Sequence, residues 1–355
     1  MSTSQPPGPA HGMQPLRWGF VGTGNVACRM ATVVRSARTA MLAAVASRRI
    51  DSARSFAAKY GADKSFDSWQ QMLDRNEIDA VYVATPTCLR EEISVAAAGA
   101  GKHVLAEKPF GSFPSLERIT AACRAHSVCF MDATHFVHHP RFAAVCDGMA
   151  ETIGWPRSLD SQFLVHMNDR DDIRYDPALE PLGALGDLGW YNMRASLEYL
   201  SPGDRLRVAM AAIERDEETG AVIACEGRLE FGDDSVSRWR CSFTANSVDI
   251  GLRLSGPLGT LRMDDFVGEN GDGSASYGYA EVREADAVER VVRVDSHRSG
   301  PALMFEDFAA AAGDPSRREP WMQASERTQA LLDAVLDASS RQAAPFHARR
   351  ADHQA

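Results

Sequence analysis

Six consecutive residues near the start of the chain, Gly22-Thr23-Gly24-Asn25-Val26-Ala27, have the G-x-G-x-x-A spacing of a loop that cradles a pyrophosphate. Small side chains carry that chemistry. Gly22 allows a tight turn, Gly24 lets the backbone approach phosphate oxygens, and Ala27 lets a helix pack closely on a strand. The apolar run Trp18-Gly19-Phe20-Val21 precedes the loop and a helical pattern over 25–36 follows it, so helix N-terminal amides would face the anion. At the end of the next apolar run stand Ser47-Arg48-Arg49, with no acid until Asp51. An acid there would bind the ribose diol of NAD. A hydroxyl beside guanidinium groups suits a 2′-phosphate instead, each charge-assisted hydrogen bond contributing about 1.5–3 kcal/mol. The pattern predicts NADP, with NAD as the alternative.

These groups need a parallel sheet to position them. Apolar runs over 41–46, 79–84, 103–106 and 128–131 alternate with helical patterns opening at Asp51 and over 91–100 and 115–126. Continuous apolar strands between helices imply a sheet covered on both faces. Asp51 is expected to cap its helix. The second half reads differently. Helical stretches over 140–149 and 186–199 lead into strand patterns over 206–213, 221–231, 235–245, 248–255 and 259–266, with a hairpin signal at Gly232-Asp233-Asp234. Residues 268–278 read as a loop, and 325–340 as an amphipathic helix burying Leu331, Leu332, Val335 and Leu336. The expected fold is α/β plus α+β: a doubly wound Rossmann domain over 16–134, then a domain over 135–341 on a large, open, mainly antiparallel sheet. Residues 1–15 and 342–355 are expected to be disordered tails.

Composition narrows the partners. The chain has 355 residues and a net charge of −10, which argues against binding nucleic acid or anionic lipid. No apolar run is long enough to span a membrane. Seven cysteines without a CxxC pair and without a secretory signal read as reduced thiols in the cytoplasm.

The stretch Ala100-Gly-Lys-His-Val-Leu-Ala-Glu-Lys-Pro109 resembles the Gfo/Idh/MocA family of oxidoreductases. The phosphate loop, Val83-Ala-Thr-Pro86, Gly186-Asp-Leu-Gly-Trp-Tyr191 and Gly256-Pro-Leu-Gly-Thr-Leu261 agree in order and spacing, so the resemblance runs from about residue 16 to 340. It implies hydride transfer between NAD(P) and a carbon bearing a hydroxyl or carbonyl. Small carbohydrate-like substrates are implied: sugars, their derivatives, cyclic polyols or dihydrodiols. Thr85, Pro86, Glu107 and Lys108 join the loop residues and Ser47, Arg48 and Arg49 as expected cofactor contacts.

Lys108 matches the family's Glu-Lys-Pro lysine and is expected to stabilise developing alkoxide charge. Pro109 restricts its backbone to an extended form. Asp187 and Tyr191 match the second family motif, with tyrosine where histidine often stands. That resembles the branch of glucose–fructose oxidoreductase and dihydrodiol dehydrogenases. Four apart on a helix, the two would share a face. Tyr191 is expected to act as general acid, its pKa lowered by Lys108, and Asp187 to orient the substrate or Tyr191. Two departures stand out: Arg90 occupies a region where many members have histidine, and Val137 stands where arginine is common. Asp132, His135, His138 and His139 read as packing at the domain junction rather than a metal site, with His138 a candidate substrate contact. A homodimer or homotetramer through the open sheet face is expected. Two other readings are an enzyme that retains its NADP, of the glucose–fructose type, and an NADP-binding sensor without turnover.

Overall fold

The structure, a computed structural model, describes residues 14–167, 169–201, 203, 205–281 and 289–342. The tails expected over 1–15 and 342–355 lie almost wholly outside the described residues.

Strands β1 (Leu16–Val21), β2 (Ala40–Ala46), β3 (Lys64–Phe66), β4 (Ala80–Val83), β5 (His103–Ala106) and β6 (Phe130–Asp132) form one sheet in the order β3-β2-β1-β4-β5-β6. Every pairing is parallel. This is the doubly wound order, in which ligands bind outside the carboxyl ends of the strands where the winding reverses, between β1 and β4. β4 is buried along its whole length, which explains its unbroken apolar run. β3 is only three residues long and shows no periodicity to detect. The helix after β2, Ile50–Tyr60, does not use Asp51 as its cap. Arg49 holds that position without a side-chain bond, and Asp51 lies exposed in the first turn, 3.8 Å from Arg54.

The second sheet has nine strands: β7 (Ser158–His166), β8 (Leu206–Arg215), β9 (Val222–Phe231), β10 (Val236–Ser242), β11 (Thr244–Asp249), β12 (Leu252–Ser255), β13 (Gly259–Met263), β14 (Ala275–Glu281) and β15 (Arg290–Val294). The order is β15-β14-β13-β12-β7-β10-β9-β8, with β11 also on β7. β7 and β10 run parallel; the other pairs are antiparallel. The strand expected over 248–255 is broken between β11 and β12, and the end of the expected loop over 268–278 belongs to β14. Alternation along β10 buries Ser237, Trp239 and Cys241 and exposes Arg238 and Arg240. One face of this sheet is therefore covered and the other open.

Two unexpected features join the layers. Helix Gly300–Gly313, apolar nearly all round, returns to the first sheet, where Phe305 and Phe308 lie 4.9 Å from Trp18 of β1. The helix expected over 186–199 is two helices, Gly183–Asp187 and Gly189–Leu200, broken at Leu188. The final helix, Arg318–Gln342, buries Leu331, Leu332 and Val335 as expected, while Leu336, also expected to be buried, is only half-buried at the edge of the core. No helix among the described residues is long and apolar enough to cross a membrane.

A buried ion pair locks these elements. Asp132 at the end of β6 accepts from Arg194 Nη2 at 2.8 Å and from Ser325 Oγ at 2.5 Å, and both charged side chains are essentially without water. Arg194 also donates to Thr328 Oγ1 at 2.9 Å. Removing one partner of such a pair strands a buried charge, at a cost of about 3–5 kcal/mol. Asp132→Ala should lower the unfolding free energy by about that amount in a denaturant titration. A loss below about 1 kcal/mol would show that the pair does not lock the layers.

Candidate active site

The phosphate loop has the geometry its spacing requires. Gly22 sits at φ +109°, and a Cβ there would come within 2.4 Å of the Ala84 carbonyl at the end of β4, so only glycine fits. A Cβ on Gly24 would meet nothing within 4 Å, which leaves open space above the loop. The helix Asn25–Val34 starts there without a side-chain cap, so its first amides remain available to an anion, while Ala27 is fully buried. Thr23 Oγ1 lies 3.3 Å from Ser47 Oγ, which joins the loop to the end of β2. Beyond Ser47, Arg48 and Arg49 are exposed, and neither forms an ion pair among the described residues. Two hydroxyls, free helix amides and two solvent-facing guanidinium groups form a set suited to a phosphorylated dinucleotide.

Across the crevice, Lys108 follows β5 and is buried. Its bond to Pro109 is cis. Nζ donates to Asp187 Oδ1 at 2.7 Å and to the Asp187 carbonyl at 2.6 Å, and it lies 4.8 Å from the centre of the Tyr191 ring. The three residues expected to act together do converge. They do so by a different route: Asp187 ends one helix and Tyr191 belongs to the next, and Lys108 bridges the break.

The ammonium meets the face of the Tyr191 ring rather than its oxygen, so the expected lowering of the phenol pKa does not occur. Burial raises it well above 10, and the charges of Glu107 and Asp187 raise it further. The phenol makes no hydrogen bond among the described residues. Burial also acts to raise the Asp187 pKa, but Lys108 and Arg174 outweigh it and hold the carboxyl well below the usual range. Arg174 donates from Nε to Asp187 Oδ2 at 2.6 Å and contacts Asp172 at 3.1 Å. Sequence reasoning missed Arg174 because it sits in a single 3-10 turn, Ile173–Tyr175, too short to show a motif or periodicity.

Other expected contacts divide. Thr85 and Pro86 follow β4 beside the phosphate loop, and Thr85 Oγ1 is buried without a partner among the described residues. Glu107 is committed elsewhere: its carboxylate accepts from the Tyr82 hydroxyl, and burial raises its pKa despite neighbouring Lys108. His138 does not face Tyr191. Its Nδ1 lies 2.6 Å from Asp307, and its ring stacks on Trp321 at 4.7 Å. His139 turns to the Gly273 carbonyl at 2.9 Å. The imidazole beside Tyr191 is His135, its ring 5.9 Å away, with its pKa pushed down to about 4 by burial and then by Lys108.

The Asp187 cluster fixes the sign of one pH dependence. A carboxyl whose folded pKa is depressed adds stability that is complete above its unfolded value, about 4, and drains as pH falls below it. Asp187→Asn should therefore flatten the loss of unfolding free energy between about pH 5 and pH 3. Identical acid limbs in the two proteins would show that the carboxylate gains nothing from Lys108 and Arg174.

Comparison with known proteins agrees with this architecture. Residues 16–134 match the Gfo/Idh/MocA model, an oxidoreductase family with an NAD-binding Rossmann fold. The chain is 35% identical to a dTDP-3,4-didehydro-2,6-dideoxy-alpha-D-glucose 3-reductase of Actinomadura kijaniata, over 90% of this chain and 95% of that protein. It is 29% identical to D-xylose 1-dehydrogenase (NADP(+)) 2 of Haloferax volcanii, over 64% and 70%. Among solved structures it resembles KijD10, a 3-ketoreductase from Actinomadura kijaniata in complex with NADP and TDP-benzene, with a TM-score of 0.84 and 27% identity, covering 92% of this chain and 98% of that one. The phosphate loop, the Lys108–Asp187–Tyr191 cluster and the likeness along nearly the whole chain place this protein in the Gfo/Idh/MocA family of oxidoreductases.

Proposed function

We propose that the protein interconverts a ketone and an alcohol on a sugar or sugar-like ring with NADP as cofactor. The observation that carries this reading is the convergence of Lys108, Asp187 and Tyr191 at the carboxyl edge of the first sheet. Thr23, Gly24 and the amides at Asn25, Val26 and Ala27 hold the pyrophosphate, and Ser47, Arg48 and Arg49 hold the 2′-phosphate. The dinucleotide, when bound, supplies or accepts the hydride. Lys108 hydrogen-bonds the reacting oxygen through an N–H not given to Asp187, and its positive charge stabilises the alkoxide that develops there. Tyr191 gives the proton to that oxygen in reduction and takes it back in oxidation. A phenol held above its ordinary pKa stays protonated at neutral pH, which suits the reductive direction. Asp187 keeps Lys108 aimed through its carboxylate and its carbonyl. Relatives named as reductases of a dTDP-linked keto sugar support a nucleotide-activated keto sugar within this substrate class.

The enzyme reading separates from a sensor reading by a single turnover. Protein loaded with NADPH should oxidise it when given keto sugars; no oxidation across a broad carbonyl panel would favour the sensor. Reduced nucleotide that stays bound through purification would mark the glucose–fructose type. Tyr191→Phe should lower the reduction rate about 10²–10⁴-fold with NADPH affinity unchanged. The wild-type rate should stay level from about pH 6 to 9, because the acid does not titrate there. A Lys108→Ala protein that binds NADPH and keeps full activity defeats the assignment. Replacing Arg48 and Arg49 with alanine should weaken NADPH much more than NADH.

The reading extends to assembly and compartment. All seven cysteines are free thiols, which supports the reducing cytoplasm. The open face of the second sheet carries a groove of about 800 Å³ lined by Asp160, Glu226, Arg228, Arg238, Arg240 and Asp249. Interleaved opposite charges suit pairing of this face with a copy of itself in a homodimer or homotetramer. Sedimentation should give a dimer or tetramer, and R238E with R240E a monomer. A monomeric wild type would remove this part of the proposal.

A further inference from the structure

Arg90 lies in helix Thr87–Gly99 and is only 7% exposed, so its guanidinium must find acceptors inside the protein. Nε donates to the Thr85 carbonyl at 3.0 Å. Nη1 donates to Thr87 Oγ1 at 2.7 Å and to the Pro109 carbonyl, and Nη2 lies 3.6 Å from Glu180 Oε1. Glu180, equally buried, accepts from the Thr87 amide at 3.0 Å and the Thr87 hydroxyl at 2.5 Å. One side chain thus ties together the end of β4, the residue after Lys108, and the turn that leads into helix Gly183–Asp187.

Pro109 is held from the other side as well. A Cβ on Gly186 would come within 2.6 Å of Pro109 Cγ, so the proline ring rests directly on the backbone of that helix. Lys108 precedes Pro109, and Asp187 follows Gly186. The two ends of the Lys108–Asp187 ion pair are therefore fixed by one contact between their neighbours, and Arg90 grips one side of it. A histidine in this region offers two ring nitrogens and could not serve four acceptors in three segments.

We propose that Arg90 is a positioning residue: through Pro109 and Glu180 it sets the separation of Lys108 from Asp187, and with it the place of the ammonium against the reacting oxygen. The inference rests on the reading of Lys108 given above. A displacement of about 1 Å at a reacting centre costs on the order of 10²-fold in rate, so loosening this grip should act on turnover.

The test uses the full-length protein and two kinds of measurement. The chain has only four lysines, Lys59, Lys64, Lys102 and Lys108, so acylation by an amine-reactive ester can be followed at each by mass spectrometry. R90K should keep the wild-type melting temperature and NADPH affinity, lose about 10–100-fold in kcat with little change in KM, and acylate Lys108 faster relative to exposed Lys59. R90A should recover part of its kcat on addition of guanidinium at millimolar concentration. E180Q should show the same loosening of Lys108 in weaker form. A folded Arg90 variant with wild-type kcat and wild-type protection of Lys108 overturns the proposal. So does a variant that loses kcat and NADPH affinity in equal proportion, since Arg90 would then merely support the crevice. Acylation needs no turnover, so it decides whether Arg90 holds the pair even if Lys108→Ala were to show that the lysine takes no part in the reaction.

Discussion

A fully buried carboxylate cannot stand alone, and the arrangement of this protein follows from where Asp132 finds its partner. Arg194 supplies the charge from helix Gly189–Leu200, and Ser325 supplies a hydroxyl from helix Arg318–Gln342. The end of the first sheet is thereby fixed to one helix of the second half and to the last helix of the chain. One turn before Arg194, Trp190 donates to Thr134 Oγ1 at 2.6 Å, two residues beyond Asp132. Two bonds on one helical face leave that helix no freedom to rotate. Tyr191, the next residue, then points about 100° away from Trp190, toward His135, Phe136 and Lys108. The orientation of the proposed acid is a consequence of the ion pair.

That constraint explains how much the sequence discloses. The glycine spacing at 22–27, the acid-free Ser47-Arg48-Arg49 and the Lys108 and Tyr191 motifs are local strings whose expected chemistry follows from residue type; the first three follow the carboxyl ends of β1, β2 and β5, and Tyr191 packs against Lys108. Alternating apolar runs disclosed the parallel sheet because both of its faces are covered. Glu180 and Arg174 could not be found in this way. Glu180 bonds Thr87, 93 residues away, and Arg174 bonds Asp187, 13 residues away, and no local pattern signals either bond. Helix Gly300–Gly313 escaped for a related reason. It is apolar nearly all round, so it shows no stripe, and its place under β1 is set by Trp18 almost 300 residues earlier. His138 and Tyr191 show a third limit. Sequence placed both residues at the junction but could not say that one ring would stack on Trp321, or that the lysine would meet the other across its face.

The break at Leu188 shows what the structure adds to a motif. In one continuous helix the carbonyl of Asp187 would accept the amide of Tyr191, four residues on. In the observed chain that amide goes to Leu188 instead, and the Asp187 carbonyl is an orphan of a helix end. Lys108 takes it at 2.6 Å while holding the carboxylate of the same residue. The ammonium therefore caps a helix terminus and pairs with an acid in one place, with two of its three N–H groups committed and one left over. A single side-chain contact would let a flexible lysine swing; two acceptors on one residue fix its direction. The third N–H is the one the proposed mechanism gives to the reacting oxygen, beside a phenol held above its ordinary pKa. A ring oxygen bound by that N–H would meet a donor whose direction two acceptors fix and, in the proposed role, an acid that does not ionise at neutral pH.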